Sequence, residues 1–463
     1  MSMSILAAAC LTLPLFCPGA SAAVRVCGTP SDFDGDGLAD LAVAAPYATV
    51  GGRTRAGTVT ILYGSRRHEV LSQDSPGVPG AAENGDSFGS ALAVGDFDGD
   101  RCADLAVGAS EEFTGPARPG ADGNGVVQLF HGSTAGLRPG RVISLPRPSG
   151  DRFGAALAAG DLDGDGDDEL AAGAPSRGRG GAVAVLFGKG REITQETSWV
   201  GQRALVTDQF GAALATGDFD GDGRDELAVG APADSVTTDG QGSVTVLDPV
   251  RRRAVLLTQD SPWIKGVAEK WDAFGASLAA ADFDADGRDD LAVGAPGEGL
   301  SANQRAMDYG DGMVHVVYGT RTGLRTARSE AWTQRPLKGE PRYSDRFGAA
   351  LATGDFNGDG DAELAVGVPG ESAVQVLAGT RAGGLTSRGN LLIKGRGRDF
   401  GASLATSPGR GRTPGALVVA APGSGVVTLI PGTRQPGPHP GLRPRETRRL
   451  GTGPGLYGYA FGG

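Results

Sequence analysis

Six times along the chain, carboxylates stand at alternate positions of a short acidic stretch. They are Asp32, Asp34, Asp36 and Asp40; Asp96, Asp98, Asp100 and Asp104; Asp161, Asp163, Asp165 and Glu169; Asp218, Asp220, Asp222 and Glu226; Asp282, Asp284, Asp286 and Asp290; and Asp355, Asn357, Asp359 and Glu363. The shared pattern is D-x-D/N-x-D-x-x-x-D/E. Acids alternating along a sharp turn converge on one point, and an all-oxygen ligand set suits a hard cation, Ca²⁺ before others. The sixth position is glycine in five of the six, as in Gly166, which supplies left-handed backbone. The carbonyl of the seventh residue, Asp167 in that turn, can complete the shell. An EF-hand begins in the same way but needs a bidentate Glu at position twelve and flanking helices. Position twelve here is Val43, Val107, Ala172, Val229, Val293 and Val366, so that reading fails. Asp and Gly are common in turns, which explains one such stretch but not six with matched spacing. Up to six Ca²⁺ are therefore expected, and six divalent ions would bring the formal net charge of −11 to about zero. The second turn departs from the pattern with Arg101 in the glycine position, and Asn357 lowers the charge of the sixth.

The elements that must position these turns recur with them. Residues 210–232 read FGAALATGDFDGDGRDELAVGAP, and near copies stand at 88–110, 153–175, 274–296 and 347–369. A further copy at 400–422 keeps both flanks and loses every acid, while 32–46 has only the second half. After each unit a glycine leads into alternating apolar residues, as in GTVTILYG at 57–64 and GMVHVVYG at 312–319. Period-two, β-branched runs bounded by glycine are strands. Each repeat thus offers an Ala/Leu strand, the acidic turn, an LAVGA-type strand and an alternating strand, with room for a fourth before the next Phe-Gly. Four short antiparallel strands per repeat make a propeller blade. Seven blades of about 62 residues each fit the length within the usual range. The expected fold is an all-β, seven-bladed propeller over 24–463. The first acidic turn has no Phe-Gly strand before it, and 457–463, YGYAFGG, supplies one when Tyr457 is set on Phe153 and Gly458 on Gly154. The C-terminal strand is therefore expected to pair beside Leu41, Ala42 and Val43 and close the ring, since an open ring exposes unpaired edges.

The repeat resembles the FG-GAP repeat, here Phe210-Gly211 and Gly230-Ala231-Pro232, over essentially the whole chain after residue 23. That resemblance implies a seven-bladed propeller like the head of integrin α chains, with calcium in its D-x-D-x-D-G-x-x-D turns. Similar propellers occur in bacterial secreted proteins and beside the catalytic domain of some lipid-anchor-cleaving phospholipases. Fold alone does not transfer adhesion.

Composition narrows the function further. Glycine is 79 of 463 residues, too much for a helical protein and without a collagen period. Acidity argues against nucleic acid as a partner. Residues 1–23 read as a signal peptide, with an apolar run from Ile5 to Phe16 and small residues Ala20 to Ala23, so secretion is expected. No other stretch is apolar enough to span a bilayer. Cys27 and Cys102 are then an even pair in an oxidising compartment, expected as a disulfide. No zinc-protease or Cys-rich metal motif is present. Residues 85–89 fit G-x-S-x-G, but Ser87 aligns with Arg152, Gln209, Ala273 and Arg346, and it leads into a strand where a nucleophile elbow needs a helix. Of the four histidines, His131 and His315 lie in strand-like segments, where packing or exposure is the commoner role. Trp199, Trp263, Trp271 and Trp332 stand in the variable stretches, as packing or as anchors for a ligand. The expected function is a non-catalytic binding or adhesion module for an extracellular protein or glycan. The alternative is an extracellular hydrolase of phospholipase or esterase type with its site in the loops.

Overall fold

The computed structural model describes residues 30–113, 123–146, 150–186, 190–299, 310–324, 328–409, 413–435, 437–455 and 457–462. The expected signal segment, Cys27 and Gly463 lie outside them. Seven four-stranded antiparallel sheets form the blades. The fourth blade is representative: Ala213–Gly217, Glu226–Ala231, Ser243–Asp248 and Arg253–Leu257 pair in succession. The second strand of a blade is buried on both faces, all six residues of Glu226–Ala231 included. That is why its sequence is a continuous apolar run after one acid rather than an alternating one. The fourth strand, at the outer edge, begins exposed and becomes buried only at Leu257.

The hydrophobic cores lie between blades, and each takes in the aromatic residue of one Phe-Gly or Tyr-Gly unit. Phe88, Phe153, Phe210, Phe274 and Phe347 are fully buried. Phe210, for example, packs on Val183 and Val185 of the third blade and on Leu227 and Val229 of its own. The glycine after it enters the neighbouring sheet. A Cβ on Gly173 would meet the Gly211 carbonyl oxygen at 2.0 Å, and one on Gly230 would meet that of Gly275 at 2.2 Å. The Phe-Gly of one blade thus docks on the Gly-Ala-Pro strand of the blade before it, and the contact needs the missing side chain. The residue ahead of each Phe is left-handed whatever its type: φ is +57° at Ser87, +55° at Arg152, +61° at Gln209 and +56° at both Ala273 and Arg346.

The ring closes at the C-terminus, as the sequence reading expected. Phe461–Gly462 pairs with Leu41–Ala45, Val43 opposite Phe461 and Ala42 opposite Gly462. Leu157 stands opposite Ala172 at the matching positions of the third blade. The Gly458 N–H donates to the Ala44 carbonyl at 2.8 Å, as Gly154 donates to Gly173 at 2.9 Å. Tyr457 takes the place of the missing Phe, packed with Val43, Val418 and Val427. Up-and-down order then sorts the loops. The acidic turns (first to second strand) and the third-to-fourth hairpins lie at one end of the propeller. The second-to-third loops and the inter-blade connections lie at the other.

Candidate metal centre

All six acidic turns have one architecture. The first Asp folds the turn onto itself by accepting the N–H of the sixth residue. That bond is 2.8 Å for Gly37 to Asp32, Arg101 to Asp96 and Gly287 to Asp282. It is 2.9 Å for Gly223 to Asp218 and 3.1 Å for Gly166 to Asp161 and Gly360 to Asp355. Arg101 therefore does what glycine does elsewhere, at a φ of +68° that a long side chain adopts only at a cost. The ninth acid closes the turn from within, accepting the N–H of the second residue: Phe33 to Asp40, Phe97 to Asp104, Leu162 to Glu169, Phe219 to Glu226, Phe283 to Asp290 and Phe356 to Glu363. That second residue is a fully buried Phe in four turns, Phe33, Phe219, Phe283 and Phe356, which pins the turn to the core.

The structure brings the expected ligands together. Side-chain oxygens of Asp32, Asp34 and Asp36 lie within 4.8 Å of one another, as do those of Asp96, Asp98 and Asp100, of Asp161, Asp163 and Glu169, and of Asp218, Asp220 and Asp222. In the sixth turn the Asn357 amide donates to Glu363 at 2.8 Å, and its oxygen accepts the Asp359 N–H at 2.8 Å. Asp163, Asp165, Asp286 and Asp359 stand in the same loops at the repeat's third, fifth, fifth and fifth positions.

Burial is the main electrostatic force on the ninth acid. It pushes Asp40 and Glu169 up to about 7, Asp104 to about 6, Glu226 and Asp290 to about 8, and Glu363 to about 9, with neighbouring carboxylates adding to the effect. A cation beside such a group would favour its charged form. The buried oxygens Asp34 Oδ1 and Asp284 Oδ1, each at the third position of its turn, and Asp361 Oδ1, at the seventh of the sixth turn, have no hydrogen-bond partner. Acceptors left without donors inside an acidic loop fit a hard metal ion.

Two features were missed at the level of sequence. Basic side chains from the third-to-fourth hairpins reach the acids: Arg67 lies 3.6 Å from Asp34, Arg251 3.7 Å from Asp220, and Arg328 2.6 Å from Asp284. His131, expected to pack or face solvent, lies 3.1 Å from both Asp98 and Asp104. Their common place after the alternating strand was a usable signal. The turns are also linked from blade to blade. The Asp168 N–H donates to the Asp96 carbonyl at 2.9 Å, and the Asp168 carboxylate accepts the Asp96 N–H at 2.9 Å. Asp289 does the same to Asp218, and Asp225 donates its N–H to the Asp161 carbonyl. One end of the ring is thereby a connected belt of acidic loops.

The FG-GAP repeat model matches residues 28–62, 88–130, 153–186, 210–247, 274–317 and 347–386. The chain belongs to the FG-GAP repeat family. Among curated relatives, this FG-GAP chain is 33% identical over 255 residues to integrin alpha pat-2 of Caenorhabditis briggsae, covering 50% of the chain and 19% of that protein. It is 33% identical over 234 residues to integrin alpha-PS2 of Drosophila melanogaster, covering 46% of the chain and 16% of that protein. It is 26% identical over 375 residues to the phosphatidylinositol-glycan-specific phospholipase D of Bos taurus, covering 74% of the chain and 42% of that protein. The chain thus spans less than half the length of each of these relatives. The sites weighed for catalysis resolve as parts of the repeat. Ser87 is buried and donates to the Gly85 carbonyl at 3.1 Å, on the same left-handed backbone as the four residues it aligns with. His315 is fully buried edge-on to Phe274, and burial pulls it down to about 4. Trp199, Trp263 and Trp332 pack against the inter-blade cores, and Trp271 covers Gly240. No helix of the described residues is long and apolar enough to cross a membrane.

Proposed function

We propose that this FG-GAP chain is a secreted, calcium-loaded binding module that recognises an extracellular protein or glycan without chemistry of its own. The carrying observation is the repetition of one acidic cage in six blades, with buried, partnerless carboxylate oxygens in three of them. The proposed ligands are the four side chains of each turn, from Asp32, Asp34, Asp36 and Asp40 to Asp355, Asn357, Asp359 and Glu363. Calcium there would neutralise the acid belt and lock each blade to the next, leaving the loops of the opposite end free to vary and to carry recognition. Likeness to integrin alpha chains supports an extracellular ligand. A signal peptide over 1–23 and a Cys27–Cys102 bridge belong to the same reading. Cys102 is disulfide-bonded, while Cys27 lies outside the described residues.

The test is a glycan and matrix-protein array probed with purified protein in calcium and again in chelator. The reading expects a small set of ligands bound in calcium and lost in chelator. An array blank in both conditions, together with turnover in a parallel esterase, phosphatase and glycosidase screen, would favour the hydrolase alternative that the phospholipase relatives suggest.

A further inference from the structure

A second set of acids repeats at the end opposite the acidic turns. In the fifth blade, Asp272 stands two residues before Phe274 and Glu298 two residues after Pro296. The Gly297 N–H donates to the Asp272 carbonyl at 3.0 Å, which sets the two loops side by side. Gln259, leaving the last strand of the fourth blade, reaches across and donates to Glu298 at 2.7 Å. All three are buried, at 1%, 7% and 2% exposure. One Asp272 oxygen accepts the Glu269 N–H, but Asp272 Oδ1 and the Gln259 amide oxygen have no partner. The fourth blade repeats this with Asp208, Asp234 and Gln195. There Gln195 donates to Asp234 at 3.3 Å, and Asp208 Oδ1 and the Gln195 oxygen are again orphaned. Asp86, Glu112 and Gln73, and Asp345, Glu371 and Gln334, fill the same positions in the second and sixth blades.

The other blades show what the cluster lacks. In the third blade, Arg177 replaces the second acid and donates to Asp151 at 2.9 Å, and Leu145 replaces the glutamine. In the seventh, Ser424 and Gly395 stand at those two positions, and in the first, Ala48 and Gly453. The second acid and the glutamine are present together or absent together. Where an acid remains without them, a guanidinium supplies the positive charge. Among the described residues no ion pair reaches Asp208, Asp234, Asp272 or Glu298, so two carboxylates and an amide oxygen converge without a salt bridge to any of them.

We propose that each of these four trios holds one hard divalent metal ion through oxygen, clamping adjacent blades at the end of the propeller away from the acidic turns. The amide and carboxylate oxygens left without donors are its ligands, and Arg177 is its covalent substitute in the third blade. Burial, with the charges of Asp272 and Glu269 adding to it, pushes Glu298 up to about 8, which a cation beside it would offset.

The experiment counts ions on the full chain by native mass spectrometry, in calcium and separately in magnesium, for wild type, Glu298→Gln and Glu298→Arg. Each variant should bind one ion fewer than wild type in whichever metal fills the site. In chelator, Glu298→Arg should melt above wild type, because it carries its own cation as the third blade does. An unchanged ion count in the isosteric Glu298→Gln overturns the proposal, even if Glu298→Arg fails to fold. A proton shared between Asp272 and Glu298 would give that unchanged count. Asp220→Ala with Asp222→Ala, counted in parallel, reports the acidic turns independently, so failure of one set of sites is distinguishable from failure of the other.

Discussion

Tyr457→Ala should destabilise the whole ring from its last few residues. Tyr457 is 6% exposed and, in the seam between the seventh and first blades, stands where the other blades have Phe. Truncating a buried aromatic side chain costs about 3–5 kcal/mol. Unfolding entropy of about 2.1 cal/mol/K per residue amounts to ~0.9 kcal/mol/K over a chain of this size, so the midpoint should fall by about 3–6 °C. Deleting 457–462 should cost more, because it also removes the Gly458 donor to Ala44 and the Ala460 acceptor of the Ala44 N–H, at 2.8 and 2.9 Å. Ala44 is fully buried, so its two backbone groups would be left without partners or the seam would open. Val206→Ala, at a site 77% exposed, is the control and should shift the midpoint by less than about 1 °C. The assay is a calorimetric melt in calcium with light scattering recorded alongside, since two opened blades present bare strand edges. A deletion variant that melts within 1 °C of the full chain (roughly the control shift) and does not scatter would refute closure as a source of stability.

Metal removal should lower the melting temperature and added calcium should restore it, each turn contributing about 2.7 kcal/mol when calcium is at a hundred times its Kd. Asp220→Ala with Asp222→Ala should remove one ion and leave the fold, and elemental analysis finding no calcium in the wild type would sink the reading. The stripped protein should be less stable at pH 8 than at pH 5.5 (roughly, across the range between unfolded and raised folded values). Glu226, Asp290 and Glu363, held near 8, 8 and 9 by burial, keep protons that the unfolded chain has already released, and that stability is lost as pH rises through those values. Calcium should flatten this slope, because the metal binds the deprotonated acids. A stripped protein that gains stability towards pH 8 contradicts it. Thiol counting under denaturing, non-reducing conditions should find no free thiol in the secreted chain, and two per chain would exclude the Cys27–Cys102 bridge.

The blades and their acidic turns were readable because the residues that make them are neighbours in sequence. Carboxylates two apart in a turn and apolar residues two apart in a strand report their own geometry. Ring closure was readable for a subtler reason: Tyr457-Gly458 carries the Phe-Gly pattern at a spacing that continues into Ser31 and Asp32 without a gap. What escaped was whatever depends on approach between separate segments. The Gly-Ala-Pro glycine is needed because the carbonyl of the next blade's Phe-Gly comes within 2.0 to 2.2 Å of where its Cβ would be, and no periodicity within one repeat records that. His131 reads as an ordinary strand residue until the hairpin folds it onto Asp98 and Asp104. Gln259 and Asp272 come from opposite ends of one inter-blade connection and Glu298 from a second loop, and each alone is an unremarked polar residue. Their signal lies in comparing repeats, where glutamine and second acid appear and vanish together while Arg177 takes over the charge. Residues that vary as a set across one chain's own repeats are constrained by something they share. For two buried acids and an amide with spare oxygens, the simplest shared object is a cation.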